Sequence, residues 1–244
     1  LYLSVEAVRG PSAVIWTGTN GTEWNVATTE NFAFNGESDV FVNKDDVSFT
    51  DDATSYRVTI DQAIEPSSVT FANDTKVYNL SGTGALAGNM SFTKKGNGTV
   101  TIATDNTYTG GNYLCGGTVK VSSLANSTMA KGNLGAVTVM ADRFTMSDGA
   151  ILYTTAAVTQ GSPMKMLTPQ GGIVTNTADF KTEKPISGTK LTKRGTGWFY
   201  SYIACPTLDT VQVEAGTFVI HGHSNPAKNI VLAGGTVNDD QCQS

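Results

Sequence analysis

Charge is scarce in this chain of 244 residues: Asp, Glu, Lys and Arg make up 15% of it, against roughly 25% in an average globular protein. Long solvated helices are built from those residues, and disordered segments combine high charge with few apolar groups. A chain that is 39% hydrophobic fits neither class. Arginine is limited to Arg9, Arg57, Arg143 and Arg194, and the net charge is −5. Clustered cations able to neutralise phosphates are therefore missing, which argues against nucleic acid as a partner. The densest basic runs, Lys94-Lys95 and Lys193-Arg194, are read as solvated turns.

Long apolar runs are missing too. Nothing approaches the ~20 residues of a spanning helix, so no membrane-spanning segment is expected in this chain. No signal peptide is visible, but the chain starts at Leu1 and reads as a processed product or an excised segment, so that absence carries no information. Histidine is limited to His221 and His223, and cysteine to Cys115, Cys205 and Cys242, with no Cys-x-x-Cys pair. A zinc site is unsupported on that spacing, and no other metal or cofactor is expected. For the cysteines, one disulfide with a free thiol and a set of lone buried thiols both stay open. Asn-x-Ser/Thr triplets recur at Asn20, Asn73, Asn79, Asn89, Asn97 and Asn126, as chance allows in a chain of this composition.

What the chain does have is glycine, 26 residues of it, set between short alternating runs. Tyr56-Arg57-Val58-Thr59-Ile60, Ser68-Val69-Thr70-Phe71, Val77-Tyr78-Asn79-Leu80 and Thr99-Val100-Thr101-Ile102 each place apolar residues on one face of a strand. Clusters such as Ser81-Gly82-Thr83-Gly84 and Thr109-Gly110-Gly111-Asn112 supply the turns between them. No window carries a 3.6-residue apolar stripe with caps.

Internal repetition decides the architecture. Thr93-Lys94-Lys95-Gly96-Asn97-Gly98 returns as Thr192-Lys193-Arg194-Gly195-Thr196-Gly197, and Gly117-Thr118-Val119-Lys120-Val121 returns as Gly216-Thr217-Phe218-Val219-Ile220, both shifted by 99 positions. Related units stand at Gly135-Ala136-Val137 and Gly234-Gly235-Thr236-Val237. A return after about 20 residues suits one coil of a β-solenoid, and favours it over a sandwich, whose strands need not resemble one another. The expected fold is all-β: a right-handed parallel β-helix or solenoid over 48–244, with internal repeats at about 93–121 and 192–220. An N-terminal capping segment, 1–47, would cover its open end. Gly117–Val121 and Gly216–Ile220 are expected on equivalent strands of stacked coils, with Val119, Val121, Phe218 and Ile220 facing inward.

The run Lys94-Lys95-Gly96-Asn97-Gly98-Thr99-Val100-Thr101-Ile102, then Asn106-Thr107-Tyr108-Thr109-Gly110-Gly111 and Gly116-Gly117-Thr118-Val119, closely resembles the autotransporter-associated β-strand repeat. The second copy, Lys193 to Ile220, keeps the first and last parts but loses the Asn-Thr-Tyr corner. Ahead of them, Trp16-Thr17-Gly18, Trp24, Asn31-Phe32, Val47-Ser48-Phe49-Thr50-Asp51-Asp52-Ala53 and Pro66-Ser67-Ser68-Val69 are similar to the module that precedes such repeats in large bacterial secreted proteins. The resemblance implies a secreted or surface-anchored bacterial β-helix, often part of a longer polypeptide. It implies an architecture and no particular activity.

Pectate-lyase-type enzymes share this fold, so catalytic groups must be sought: clustered carboxylates for calcium and a basic proton acceptor. The acidic pairs Asp45-Asp46, Asp51-Asp52 and Asp239-Asp240 alternate in direction on a strand and read as turn formers. Arg57 and Arg143 stand in no motif, and Ser81, Ser187 and Ser201 lack a Gly-x-Ser-x-Gly context. His221 and His223 read as a solvated face without a third ligand. No catalytic residue is assigned. Aromatic residues remain. In Trp198-Phe199-Tyr200-Ser201-Tyr202, the residues Trp198, Tyr200 and Tyr202 share one face of a strand. If that face is outward, it forms a platform for an extracellular polysaccharide or a host or cell-surface glycan; if inward, Phe199 is exposed instead. Trp16 and Trp24 read as cap or core. The sequence thus points to a non-catalytic, extracellular, adhesin-like scaffold. A β-helical polysaccharide lyase or hydrolase and a passive stalk are the alternatives.

Overall fold

A computed structural model describes residues 9–222 and 225–240. It is all-β, with parallel coils stacked into a solenoid of about 9 turns and almost no helix, only a short 3-10 turn at Ala141–Arg143. The strands expected from alternation form with nearly the expected bounds: Arg57–Thr59, Ser68–Phe71, Val77–Ser81 and Thr99–Ile102. Each coil visits up to three faces. Face A begins with Ala13–Trp16 and Asp46–Phe49 and continues through Ser68–Phe71, Ser91–Lys94, Asn112–Leu114, Phe144–Met146 and Met164–Met166. Face B runs from Arg57–Thr59 through Val77–Ser81, Thr99–Ile102, Thr118–Val121, Ala150–Thr154 and Gly172–Asn176. Face C stacks Val158–Gln160, Phe180–Thr182, Trp198–Ser201, Thr217–Ile220 and Thr236–Asp239. The nine-residue strand Ile186–Arg194 serves two faces, pairing through Ile186 with face A and through Leu191 with face B.

Period-two alternation puts every second side chain into the narrow interior, where parallel stacking sets like on like. Phe49 lies on Phe71 at 4.3 Å between ring centroids, and Phe180, Phe199 and Phe218 form a ladder at 4.8 and 5.2 Å. Toward the N-terminus the interior is aromatic. Trp16 and Trp24 are both fully buried, with Phe32, Phe41 and Phe49 packed around them. There Phe32–Phe34 pairs antiparallel with both Ala13–Trp16 and Glu37–Asp39. Arg9 grips buried Asp45 with both terminal nitrogens at 2.6 and 2.8 Å and Asp39 through Nε at 2.5 Å.

One expectation needs correction. Thr118–Val121 stacks on Thr99–Ile102 in face B, whereas Thr217–Ile220 stacks on Trp198–Ser201 in face C. The 99-residue offset therefore carries a corner motif from one edge of the coil to the next, rather than through a whole number of coils. Val119, Val121 and Phe218 are buried as expected, and Ile220, half-buried, packs against the same core in register with Ser201.

Candidate functional site

The chain reaches face C at Trp198 by way of the Lys193 corner, and that corner is not the solvated turn expected. Lys193 is fully buried. Its ammonium donates to the carbonyls of Arg194, Gly195 and Ala215 at 2.9, 2.8 and 3.0 Å. Lys94 does the same in the first copy, donating to Lys95 and Gly96 at 2.6 and 2.9 Å and reaching Asn73 O at 3.4 Å. A corner turns carbonyls inward with no strand to bond them, and a long side chain carrying three donors satisfies them. Burial lowers each ammonium to about 8.

Each lysine sits between an asparagine in the coil before and a glycine in the coil after. Asn73 donates its side-chain amide to Lys76 O and Thr99 O, and Asn176 to Ala178 O and Trp198 O. With its side chain buried in this role, Asn73 has no exposed amide as a glycosylation acceptor. Above, Gly216 has a φ of +68°, and a β-carbon there would lie 2.3 Å from Gly195 O and 2.8 Å from Lys193 Nζ. Gly117 holds the same place over Lys94.

Beyond the corner, Phe199 and Ser201 point inward, and Trp198 is 44% exposed, with Tyr200 half-buried on the same side. The strand thus takes the outward alternative. Tyr202 continues the row just past the strand end. Trp198 and Tyr200 centroids are 5.8 Å apart, and Tyr200 and Tyr202 lie 5.8 Å apart with planes only 9° from parallel. The ring of His221 meets Tyr202 edge-on at 4.4 Å and pairs through Nδ1 with Asp240. From the adjacent strand the Lys181 ammonium stands 5.5 Å from the Tyr200 centroid, a cation–π contact. Burial raises the Tyr200 phenol, and Asp179, Tyr202 and Asp240 raise it further. The row spans on the order of 13 Å along the strand, the length of a short oligosaccharide.

The other candidate groups are dispersed and engaged. Asp45 is held by Arg9 and accepts the amides of Ser12 and Val42, each at 2.8 Å. Asp46 accepts the Ser68 hydroxyl at 2.6 Å. Asp51 accepts the amides of Asp74, Thr75 and Lys76 together with the Thr75 hydroxyl. Arg143 donates to Thr109 O at 2.8 Å, Ser187 donates to Met164 O at 3.3 Å, and Arg57 is exposed at the start of its strand. Among the described residues no three His, Cys, Asp or Glu side chains converge as metal ligands, and no helix is long and apolar enough to cross a membrane. Cys115 is exposed and free, and Cys205 is buried and free; Cys242 and His223 lie outside the described residues.

The chain is similar to the adhesin BmaC autotransporter of Brucella suis biovar 1 (strain 1330), with 30% identity over 174 residues that cover 62% of this chain. It spans about 5% of that relative's own length. No family profile matches the chain, and no solved structure matches it. A β-solenoid similar to part of an autotransporter adhesin is consistent with an adhesin-like module at the cell surface or outside the cell.

Two features of the structure escape a reading of the sequence. Alternation alone places Lys94 on the side of Phe92, and Lys193 on the side of Leu191, but their charge masks the signal. The contact of Tyr202 with His221 joins successive coils and leaves no local trace.

Proposed function

We propose that the chain is a non-catalytic, secreted surface scaffold that holds polysaccharide on the row Trp198, Tyr200 and Tyr202. Residues up to Val47 act as the cap of the solenoid in this reading, and the following coils act as a rigid rod presenting face C. The observation that carries the proposal is the row itself: three consecutive outward aromatic positions, each ring touching the next, over an inner ladder of Phe180, Phe199 and Phe218 that fixes the strand. Flat sugar faces lie well on such rings, and phenol hydroxyls at the rim supply hydrogen bonds. Burying apolar area at about 25 cal/mol per Å² gives on the order of 1–2 kcal/mol per ring before ordering costs. A single site is therefore weak, nearer millimolar than micromolar, and gains from repetition along a longer polypeptide.

The test is a glycan array probed with the intact chain and with Trp198→Ala. The substitution should abolish retained signals while leaving the thermal midpoint nearly unchanged. Retention of every signal by the variant would overturn the proposal and favour a passive stalk. Turnover of a polysaccharide by the purified chain would overturn the non-catalytic part.

A further inference from the structure

A groove of about 700 Å³ opens beside the aromatic row, with Tyr202 common to both. Its floor is the outer surface of face C, where Thr159 lies in register with Lys181, and Lys181 with Tyr200. Its wall is the excursion between Val121 and Phe144, whose Val137 and Val139 line the groove. Val139 is 83% exposed, an apolar side chain held out into solvent beside a concavity.

The excursion is anchored. Asn126 Oδ1 accepts the amides of Thr128 and Met129 at 2.9 and 3.0 Å. The Thr138 amide donates to Ser162 Oγ at 2.9 Å. Ser127 donates to the Glu183 carboxylate through its amide at 2.8 Å and its hydroxyl at 2.7 Å. The wall is thus tied to the floor at both ends and keeps the groove open without a ligand.

Charge identifies the occupant. Lys181, Glu183 and Lys184 line the groove. Glu183 is engaged by Ser127, whereas neither lysine forms an ion pair among the described residues. Lys44, Lys131, Lys165 and Lys228 each hold a carboxylate, so Lys181 and Lys184 belong to the lysines left open to an external anion, and they are the two that line this groove. On a chain of net charge −5, two ammonium groups without a carboxylate partner share one concavity with an apolar wall, next to a row of aromatic rings.

We propose that this groove is an anion subsite continuous with the aromatic row, and that it takes a carboxylate or sulfate of an acidic polysaccharide whose sugar faces lie along Trp198, Tyr200 and Tyr202. The inference rests on the glycan-binding reading above. Lys181 joins the two parts, since its ammonium is against the Tyr200 ring and its side chain lines the groove. Lys184 also lines the groove, so successive charges along one chain can meet both lysines.

The test is equilibrium binding at low salt with two pairs of probes that differ only in charge: oligogalacturonate against its methyl ester, and dextran sulfate against dextran. The acidic member of at least one pair should bind about tenfold more tightly, at roughly threefold per exposed lysine contact, and the preference should shrink as salt rises. The pair that shows it identifies the anion as carboxylate or sulfate. Lys181→Gln with Lys184→Gln should remove the preference while the neutral probes bind as before. An acidic preference absent from both pairs, or intact in the double variant, would overturn the subsite. Trp198→Ala separates the two readings: if it weakens acidic and neutral probes alike, the row and the groove act together. If it changes nothing while the lysine variant removes the preference, the aromatic row falls and the groove stands.

Discussion

At 93–98 and at 192–197 the chain builds the same corner twice, and the two differ in where they lead. The first turns from face A into face B and opens onto Thr99 and Thr101, both half-buried threonines. The second turns from face B into face C and opens onto Trp198 and Tyr200. Inside, both are held by a buried lysine on three carbonyls, an asparagine below and a glycine above. The motif therefore specifies a bend and its internal bonding, and says nothing about which edge of the coil it occupies. Its inward positions are fixed by packing and unmet carbonyls, while its outward positions are free to vary. In the second copy those outward positions carry the aromatic row.

If the lysines are equivalent pins, removing either donor should hurt alike. Lys94→Met and Lys193→Met keep the apolar stem but leave inward carbonyls unbonded. Each should cost about 3 kcal/mol, as the desolvation penalty of a buried orphan group predicts, read as a lowered urea midpoint. A loss below about 1 kcal/mol at one corner and not the other would break the equivalence.

Next in size are the glycines above them. Gly117→Ala and Gly216→Ala would drive a β-carbon to 2.4 and 2.3 Å from backbone oxygens, at φ values of +60° and +68°. A cost of about 2 kcal/mol is expected for each, again from urea midpoints; a neutral result at Gly216 would mean that the Lys193 corner can relax where the Lys94 corner cannot.

The buried charges give a smaller, pH-dependent signature. Each lysine has a folded value of about 8, lowered by burial from 10.5. Below about 8 both folded and unfolded chains are charged, and the cost of burying the ammonium is present in full. As pH rises from 8 toward 10.5 the folded state releases its proton first, so stability should rise across that window relative to the Lys94→Met/Lys193→Met variant. Denaturation midpoints measured from pH 7 to 10.5 check the sign, and a relative fall would contradict the burial.

Least of all should stability notice the outward residues. Trp198→Ala should change the urea midpoint by no more than about 0.5 kcal/mol, as a surface substitution does. Thr99→Ala and Thr101→Ala should leave glycan retention untouched. A large loss of stability at Trp198 would make it part of the packing, and the contrast between the two copies would fail.

Much of this was legible in the sequence because alternation is a local property. The runs at 68–71 and 99–102 became strands with those bounds, and Phe199 took the inner side as its position between Trp198 and Tyr200 allowed. The face assignment was not legible: a 99-residue offset counts residues, and excursions such as that between Val121 and Phe144 break the count of coils. The same excursion has no period to read, so its place as the wall of a groove against Lys181 and Lys184 emerges only when the coils are stacked. The buried lysines were hidden for a different reason. Charge argues for solvent, and only the carbonyls left unbonded at a corner reverse that preference.

The central claim is that a glycan lies on the outward row, and Trp198 reports on it directly. Trp16 and Trp24 are fully buried, so Trp198 is the tryptophan open to a soluble quencher. Acrylamide quenching of intrinsic fluorescence should fall as a glycan retained on the array is titrated in, saturating with the same midpoint as binding, and the effect should vanish in Trp198→Phe. Saturated binding with unchanged quenching would contradict the account, since the sugar would then rest elsewhere on the solenoid.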